Sequence, residues 1–343
     1  MTASPATAAT PTSREMRARE PYIDNLKGVL IALVVIGHTV GQFVDTAPGG
    51  QTVYAWIYLF HMPAFVLLCG VLTTSPDLDG RRVGSMVRTL LVPYVIFQIA
   101  YTAFFRAGGQ SVPWGVDSLL TPLYQLWFLV ALFAWRLLAP FFARFRGSVV
   151  LAVLVSLAAG MSQIMGPGLT LNRVAALIPF FVIGLIVGRR ALSLPSNSLA
   201  RCVAAVVLVM SFPAAAAFND RFGRGWLFWR ATYRALSTTA YEGMTIRILM
   251  IGWALVVSAA VFTLVPRGKT TVLTAAGEHS MYPYLLHGFF VQAFGWSAVE
   301  VTTVWGFVVS VLAAVGLVAA LSSRPVRAVF GTVVEPRRVW ILR

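Results

Sequence analysis

Residues 19–40 read REPYIDNLKGVLIALVVIGHTV. From Ile23 onward the stretch is almost wholly apolar, and as a helix it is long enough to cross a hydrocarbon core about 30 Å thick. Within it the ionisable residues are Asp24, Lys27 and His38. At about 100° per residue they fall within roughly 60° of one another on a helix. One face therefore carries an i,i+3 ion pair at its base and an imidazole ~16 Å above it. An ionisable ring in hydrocarbon is costly and marks a functional site by default. This face is expected to be the reactive face of a membrane enzyme.

The rest of the chain belongs to the same class. Of 343 residues, 58% are apolar and 11% charged, and the mean hydropathy is +0.78. A soluble domain carries about a quarter charged residues, so the expected fold is an all-α polytopic membrane helix bundle. Apolar runs predict about ten spans, near 23–44, 52–74, 88–106, 121–142, 148–165, 172–188, 200–218, 246–265, 279–297 and 302–322. Residues 1–20 are Ala/Thr/Pro-rich and then charged, which predicts a disordered tail rather than a cleavable signal. Residues 21–323 form the membrane domain, and 324–343 a basic tail. Lys and Arg concentrate on the side of the N-terminus, so both termini are expected to be cytoplasmic.

The basic stretch GWLFWRATYRAL at 225–236, with Glu242 beyond it, departs from that bias on the outer side. It is a loop suited to the membrane surface or to receiving a substrate. The net charge of +15 does not signal nucleic-acid binding, because no soluble segment interleaves basic and aromatic residues. Cys69 and Cys202 each lie in an apolar run without a CxxC or metal-ligand neighbour, so neither a disulfide nor a metal site is expected.

Three of the four histidines, His38, His61 and His287, fall inside predicted spans, and His279 begins the ninth. A single membrane histidine is commonly an interhelical hydrogen-bond partner. Three of them point to one shared cavity in the middle or outer half of the bilayer. Lys27 reads either as a lysine snorkelling to the inner interface, paired with Asp24, or as an anion site at the mouth of a tunnel towards His38. Arg81 and Arg82 read as topology charges, whereas Arg88 is more embedded and suits phosphate. Arg136 is expected to snorkel or to pair with an acid. Glu278 is expected at the start of the ninth helix, where the dipole favours it.

The chain resembles the acyltransferase-3 family of integral membrane O-acyltransferases, in particular its fucose 4-O-acetylase-like branch. The resemblance rests on YIDNLKGVLIALVVIGH at 22–38, FHMPAFVLLCGVL at 60–72, VRTLLVPYVIF at 87–97, LWFLVALFAWRLL at 126–138 and GEHSMYPYLLHGFF at 277–290. It implies a ten-helix bundle of the plasma membrane that takes an acyl group, by resemblance acetyl, from cytoplasmic acyl-CoA. The acceptor it implies is a hydroxyl of a sugar, glycan or lipid-linked saccharide at the outer face. The family's first-helix histidine matches His38, and its third-helix arginine matches Arg88. A basic residue often arginine in relatives is Lys27 here, without the bidentate fork.

On that basis Lys27, Arg81, Arg82 and Arg88 are expected to hold the acyl-CoA phosphates, with Asp24 orienting Lys27. His38 is expected to act as general base, and His61 or His287 to orient it or polarise the thioester. An acyl-histidine intermediate is the other route. The competing function is a non-enzymatic carrier with the histidines as proton relays.

Overall fold

A backbone in hydrocarbon has no water to bond, so apolar runs close into helices that satisfy their own N–H and C=O groups. The computed structural model describes residues 13–74, 76–162, 170–297 and 299–336, and among these there are helices and loops but no strand. The principal helices are α1 (Ser13–Val40), α2 (Gly50–Val71), α3 (Gly80–Ala107), α4 (Trp127–Arg144), α5 (Ser148–Ala159) and α6 (Leu171–Val187). They continue with α7 (Ser198–Phe222), α8 (Ala240–Leu264), α9 (Thr271–Glu278), α10 (Met281–Gly295), α11 (Val304–Leu321) and α12 (Arg324–Val334). A π-turn at Val87–Leu91 interrupts α3 just before Pro93, whose missing N–H removes a helical bond.

Eight described helices are long and apolar enough to cross a membrane. Two of the ten expected spans fall short: α5 has 12 residues and α10 has 15. At 1.5 Å per residue these reach only ~18 and ~22 Å. α5 ends where the outer loop docks on it, with Tyr233 donating its N–H to the Gly160 carbonyl at 2.7 Å and its hydroxyl to that of Leu157 at 3.0 Å. The ninth span is a broken helix rather than a continuous one from residue 279. The chain bends at His279 and Ser280, and Pro283 falls in the first turn of α10, where its missing N–H forfeits no helical bond. Glu278 consequently ends α9 instead of opening a long helix.

The expected tails also change. Residues 13–20 are the first turns of α1, and Arg324–Val334 form α12. Residues 1–12 and 337–343 lie outside the described residues.

Two glycine crossings bring the central helices into backbone contact. A Cβ on Gly277 would lie 1.7 Å from the Asp24 carbonyl oxygen, and one on Gly28 would lie 2.2 Å from that of Leu273, so α1 and α9 touch backbone to backbone. Gly70 and Gly184 do the same for α2 and α6, each meeting a carbonyl of the other helix at 2.1 Å. Small residues at crossings are what membrane packing uses, since lipid supplies no hydrophobic drive between helices. At the other extreme, α7 and α11 bury only 17% of their apolar windows and turn residues such as Val206, Val209 and Leu312 outward to lipid.

The base of α1 is clasped by one amide. Asn25 is fully buried; its Nδ2 donates to the carbonyls of Pro266 and Gly268 at 2.8 and 2.7 Å. Its Oδ1 accepts from the hydroxyls of Thr270 and Thr274 at 2.9 and 2.7 Å. All its hydrogen-bonding capacity is used. Asn25→Leu strands two carbonyls and is expected to destabilise the protein by about 2 kcal/mol, read as a fall in the midpoint of thermal unfolding in detergent. An unchanged midpoint would remove the clasp from the account of the fold.

Candidate functional site

α1 carries His38 near its outer end, in the orientation the charge bias predicts. Its ring faces α10, where His287 is fully buried. His38 Nδ1 and His287 Nε2 are 2.8 Å apart, although the two residues are separated by 249 positions in the chain. His287 Nδ1 lies 2.7 Å from the Pro283 carbonyl. A carbonyl only accepts, so Nδ1 of His287 holds the proton and, in the neutral ring, Nε2 holds a lone pair. That lone pair accepts a hydrogen bond from the N–H of His38 Nδ1. His38 Nε2 is then left as an acceptor, and among the described residues no side chain or backbone group bonds it. The tautomer follows from a backbone oxygen, as a positioned base requires.

His38 opens onto a cavity of about 320 Å³ that also takes in His61, Tyr58, Tyr124, Trp127 and Arg173. His61 is held by the carbonyl of Ile57 at 2.7 Å, one turn back on α2, and stands 4.9 Å from the Tyr58 ring. Thus the structure brings His38, His61 and His287 together, with His287 behind His38 and outside the cavity lining.

Tyr124 lies over His38 with ring centroids 4.6 Å apart, in a turn where its φ is 50°. Trp229, another cavity residue, has φ 54°. Left-handed backbone at a bulky residue is strained and concentrates at functional sites. The Tyr124 turn is anchored to α10 and α3. Tyr284 donates its hydroxyl to the Gln125 carbonyl at 2.5 Å, Gln125 Nε2 donates to the Tyr101 hydroxyl at 2.6 Å, and Tyr101 donates to the Leu285 carbonyl at 2.8 Å.

The outer loop, expected on the membrane surface or at a substrate entry, folds inward. Leu227, Phe228, Trp229 and Arg230 line the cavity, and Trp226 and Tyr233 are buried beneath them. Arg224 donates two bonds to Asp45 at 3.1 Å, tying the loop to the α1–α2 connection. Burial pushes the Tyr233 hydroxyl above the ordinary phenol range, against the opposing pull of Arg247, so it remains a neutral donor to α5.

At the opposite end, Lys27 pairs with Asp24 at 2.5 Å. The four expected phosphate ligands are not gathered at one place. Arg82 and Arg136 line one recess of about 330 Å³, and Arg88 lines another of about 540 Å³ on the far side of Thr89, with Val334 and Glu335 of the α12 end. Lys27 and Arg81 line neither recess. His279, near the bend between α9 and α10, accepts from Arg327 of α12 at 2.6 Å.

Arg173 is the cavity residue that reading the spans by histidine alone passes over. It lies in LNRVAALIPFF with no acid beside it, and an arginine in an apolar run is the same kind of signal as His38.

Comparison with known proteins agrees with this architecture. A family model described as an acyltransferase domain matches residues 20–323. The chain is also similar to the nodulation protein NolL of Sinorhizobium fredii (strain NBRC 101917 / NGR234), at 30% identity over 139 residues. That match covers 37% of this chain and 38% of NolL, so it spans well under half of the relative's length. No solved structure matches the chain. The family match runs from the first turns of α1 to the end of α11 and takes in every described helix that lines the cavity, and the chain belongs to the acyltransferase-3 family of membrane acyltransferases.

Proposed function

We propose that this protein is a multi-pass plasma-membrane O-acyltransferase that moves an acyl group, acetyl in the simplest case, from cytoplasmic acyl-CoA to a hydroxyl of a sugar or glycan at the outer side. The observation that carries the reading is the chain His38–His287–Pro283 carbonyl, which leaves His38 Nε2 a proton acceptor beside a cavity. In the proposed step the acceptor hydroxyl attacks the thioester carbonyl as Nε2 takes its proton. The tetrahedral intermediate then expels the CoA thiolate, which takes up the proton held by His38. The base is oriented without a carboxylate, because its partner His287 is itself fixed by a backbone oxygen.

The phosphates of acyl-CoA are assigned to the cytoplasmic recesses carrying Arg82, Arg136 and Arg88. Lys27, neutralised by Asp24, is assigned to the adjoining face of α1 and supports the donor from there.

The test is transfer of radiolabelled acetyl groups from acetyl-CoA into glycan and lipid fractions by inside-out vesicles containing the protein. Label that depends on the protein supports acyl transfer. Protein-dependent movement of a solute with no thioester consumed would replace it with a carrier.

A further inference from the structure

The cavity holds a charge with no counterpart among the described residues. The Arg173 guanidinium stacks on the Trp127 ring with 4.6 Å to its centroid, and its Nε donates to the Phe228 carbonyl at 3.1 Å. Its two Nη groups donate to no described residue, and no carboxylate lies within ion-pair distance among the described residues. The segment 163–169 that precedes it contains no Asp or Glu. Nor does the cavity lining contain one, whereas Arg230 stands exposed at its mouth, over the Phe228 ring. Arg173 is half-buried, and a cation drawn partly out of water without a partner is costly; a bound anion would offset that cost.

Three further observations narrow the ligand. The cavity is lined by aromatic residues, including Tyr54, Tyr58, Trp127 and Trp229, a lining that suits the apolar side of a sugar ring. Its volume of about 320 Å³ is that of a small-ligand site. The excess of arginine in the outer loop, contrary to the usual topology bias, also finds a purpose. Arg224 is consumed by Asp45 and Arg247 by the Ser156 carbonyl at 2.8 Å, while Arg230 is left to face the cavity.

Resting on the acyltransferase reading, we propose that the acceptor is an anionic, hydroxyl-bearing saccharide, whose carboxylate or phosphate is bound by the Nη fork of Arg173 and guided in by Arg230. The planar fork takes either group in bidentate fashion. Anchoring the anion at Arg173 lets a ring hydroxyl reach the His38 side of the same cavity. Arg173 is thus a specificity-determining residue, distinct from the base.

The experiment uses the full chain in detergent and reads quenching of tryptophan fluorescence, since Trp127 and Trp229 line the cavity. The probes are D-glucuronate against its neutral methyl ester, and glucose 6-phosphate against glucose. A charge-assisted bidentate contact predicts that at least one anion binds roughly 10–100-fold more tightly than its neutral counterpart. The arm that shows the preference separates a carboxylate-bearing sugar from a sugar phosphate. Arg173→Gln removes the preference, whereas Arg173→Lys, which keeps the charge without the fork, retains part of it and shows that the fold survives substitution. Equal binding of charged and neutral probes, binding of none, or a preference that persists in Arg173→Gln would overturn the proposal. No acyl donor is present in the assay, so its failure leaves the acetyl-transfer experiment untouched. Conversely, anion preference without acyl transfer would leave this site standing and remove the transferase.

Discussion

His38→Ala is expected to lower acyl transfer ~10²–10⁴-fold, the range a positioned general base contributes, with folded protein unchanged in amount. His38 is only partly buried and its Nε2 bonds no described residue, so truncation leaves a single partner, His287 Nε2, without its hydrogen bond. What is lost is the acceptor for the hydroxyl proton. His287 separates a base from a merely packed ring. It touches no cavity space, so its effect must travel through His38 Nδ1. His287→Leu removes that acceptor, freeing the imidazole to rotate and to place its proton on either nitrogen. The expected result is a large fall in kcat with little change in KM for the acyl donor. His287→Gln keeps a carbonyl oxygen able to accept from Nδ1, and is expected to recover part of the rate. Full activity in His38→Ala would remove the base from the mechanism, and a KM effect in place of a kcat effect at His287 would recast it as packing.

Gly277→Ala is expected to be the most destabilising single-methyl change in the bundle. The added Cβ would stand 1.7 Å from the Asp24 carbonyl oxygen, and the obstacle is backbone, which cannot rotate aside as a side chain does. α1 and α9 must separate by more than an ångström, which pulls Thr270 and Thr274 away from Asn25 and disturbs the Asp24–Lys27 pair. Ordinary overpacking costs 1–3 kcal/mol, and a rigid backbone clash belongs at or above about 3 kcal/mol. The measurement is the thermal midpoint and the yield of monodisperse protein in detergent, beside Gly252→Ala as a control whose Cβ meets nothing within 4 Å. Equal behaviour of the two variants would mean that the crossing is not close-packed in the membrane.

Much of the site was legible before any coordinates. The face of α1 carrying Asp24, Lys27 and His38 follows from helical spacing alone, and the i,i+3 pair forms as that spacing requires. Their rarity and depth point to a convergence of His38, His61 and His287; His38 and His61 line one cavity, whereas His287 stands outside its lining and reaches it only through His38. Arg173 is passed over when the spans are read by histidine alone, and Trp127 and Trp229 stand out only as parts of the LWFL segment and of the aromatic outer loop, with no individual role. Their importance arises when the 224–233 loop turns inward, a decision made by the docking of Tyr233 against α5. The family resemblance and their closeness in sequence group Arg81, Arg82 and Arg88 as one phosphate site, yet the helix that carries them turns Arg82 and Arg88 into different recesses.

The sequence by itself determined the membrane class, the helical class and the family, since these depend on apolar run length, local periodicity and motifs read in order along the chain. Tertiary structure alone decided which histidine partners which, where α5 stops, that the ninth span breaks, and that an arginine is left without a counter-ion among the described residues. Those outcomes depend on contacts between residues as far apart as His38 and His287, made possible by glycine crossings that set the distance between helices. Local spacing records the face on which a residue sits. It holds no record of the helix that will face it, because that choice is made by the sum of many long-range packing and hydrogen-bonding terms.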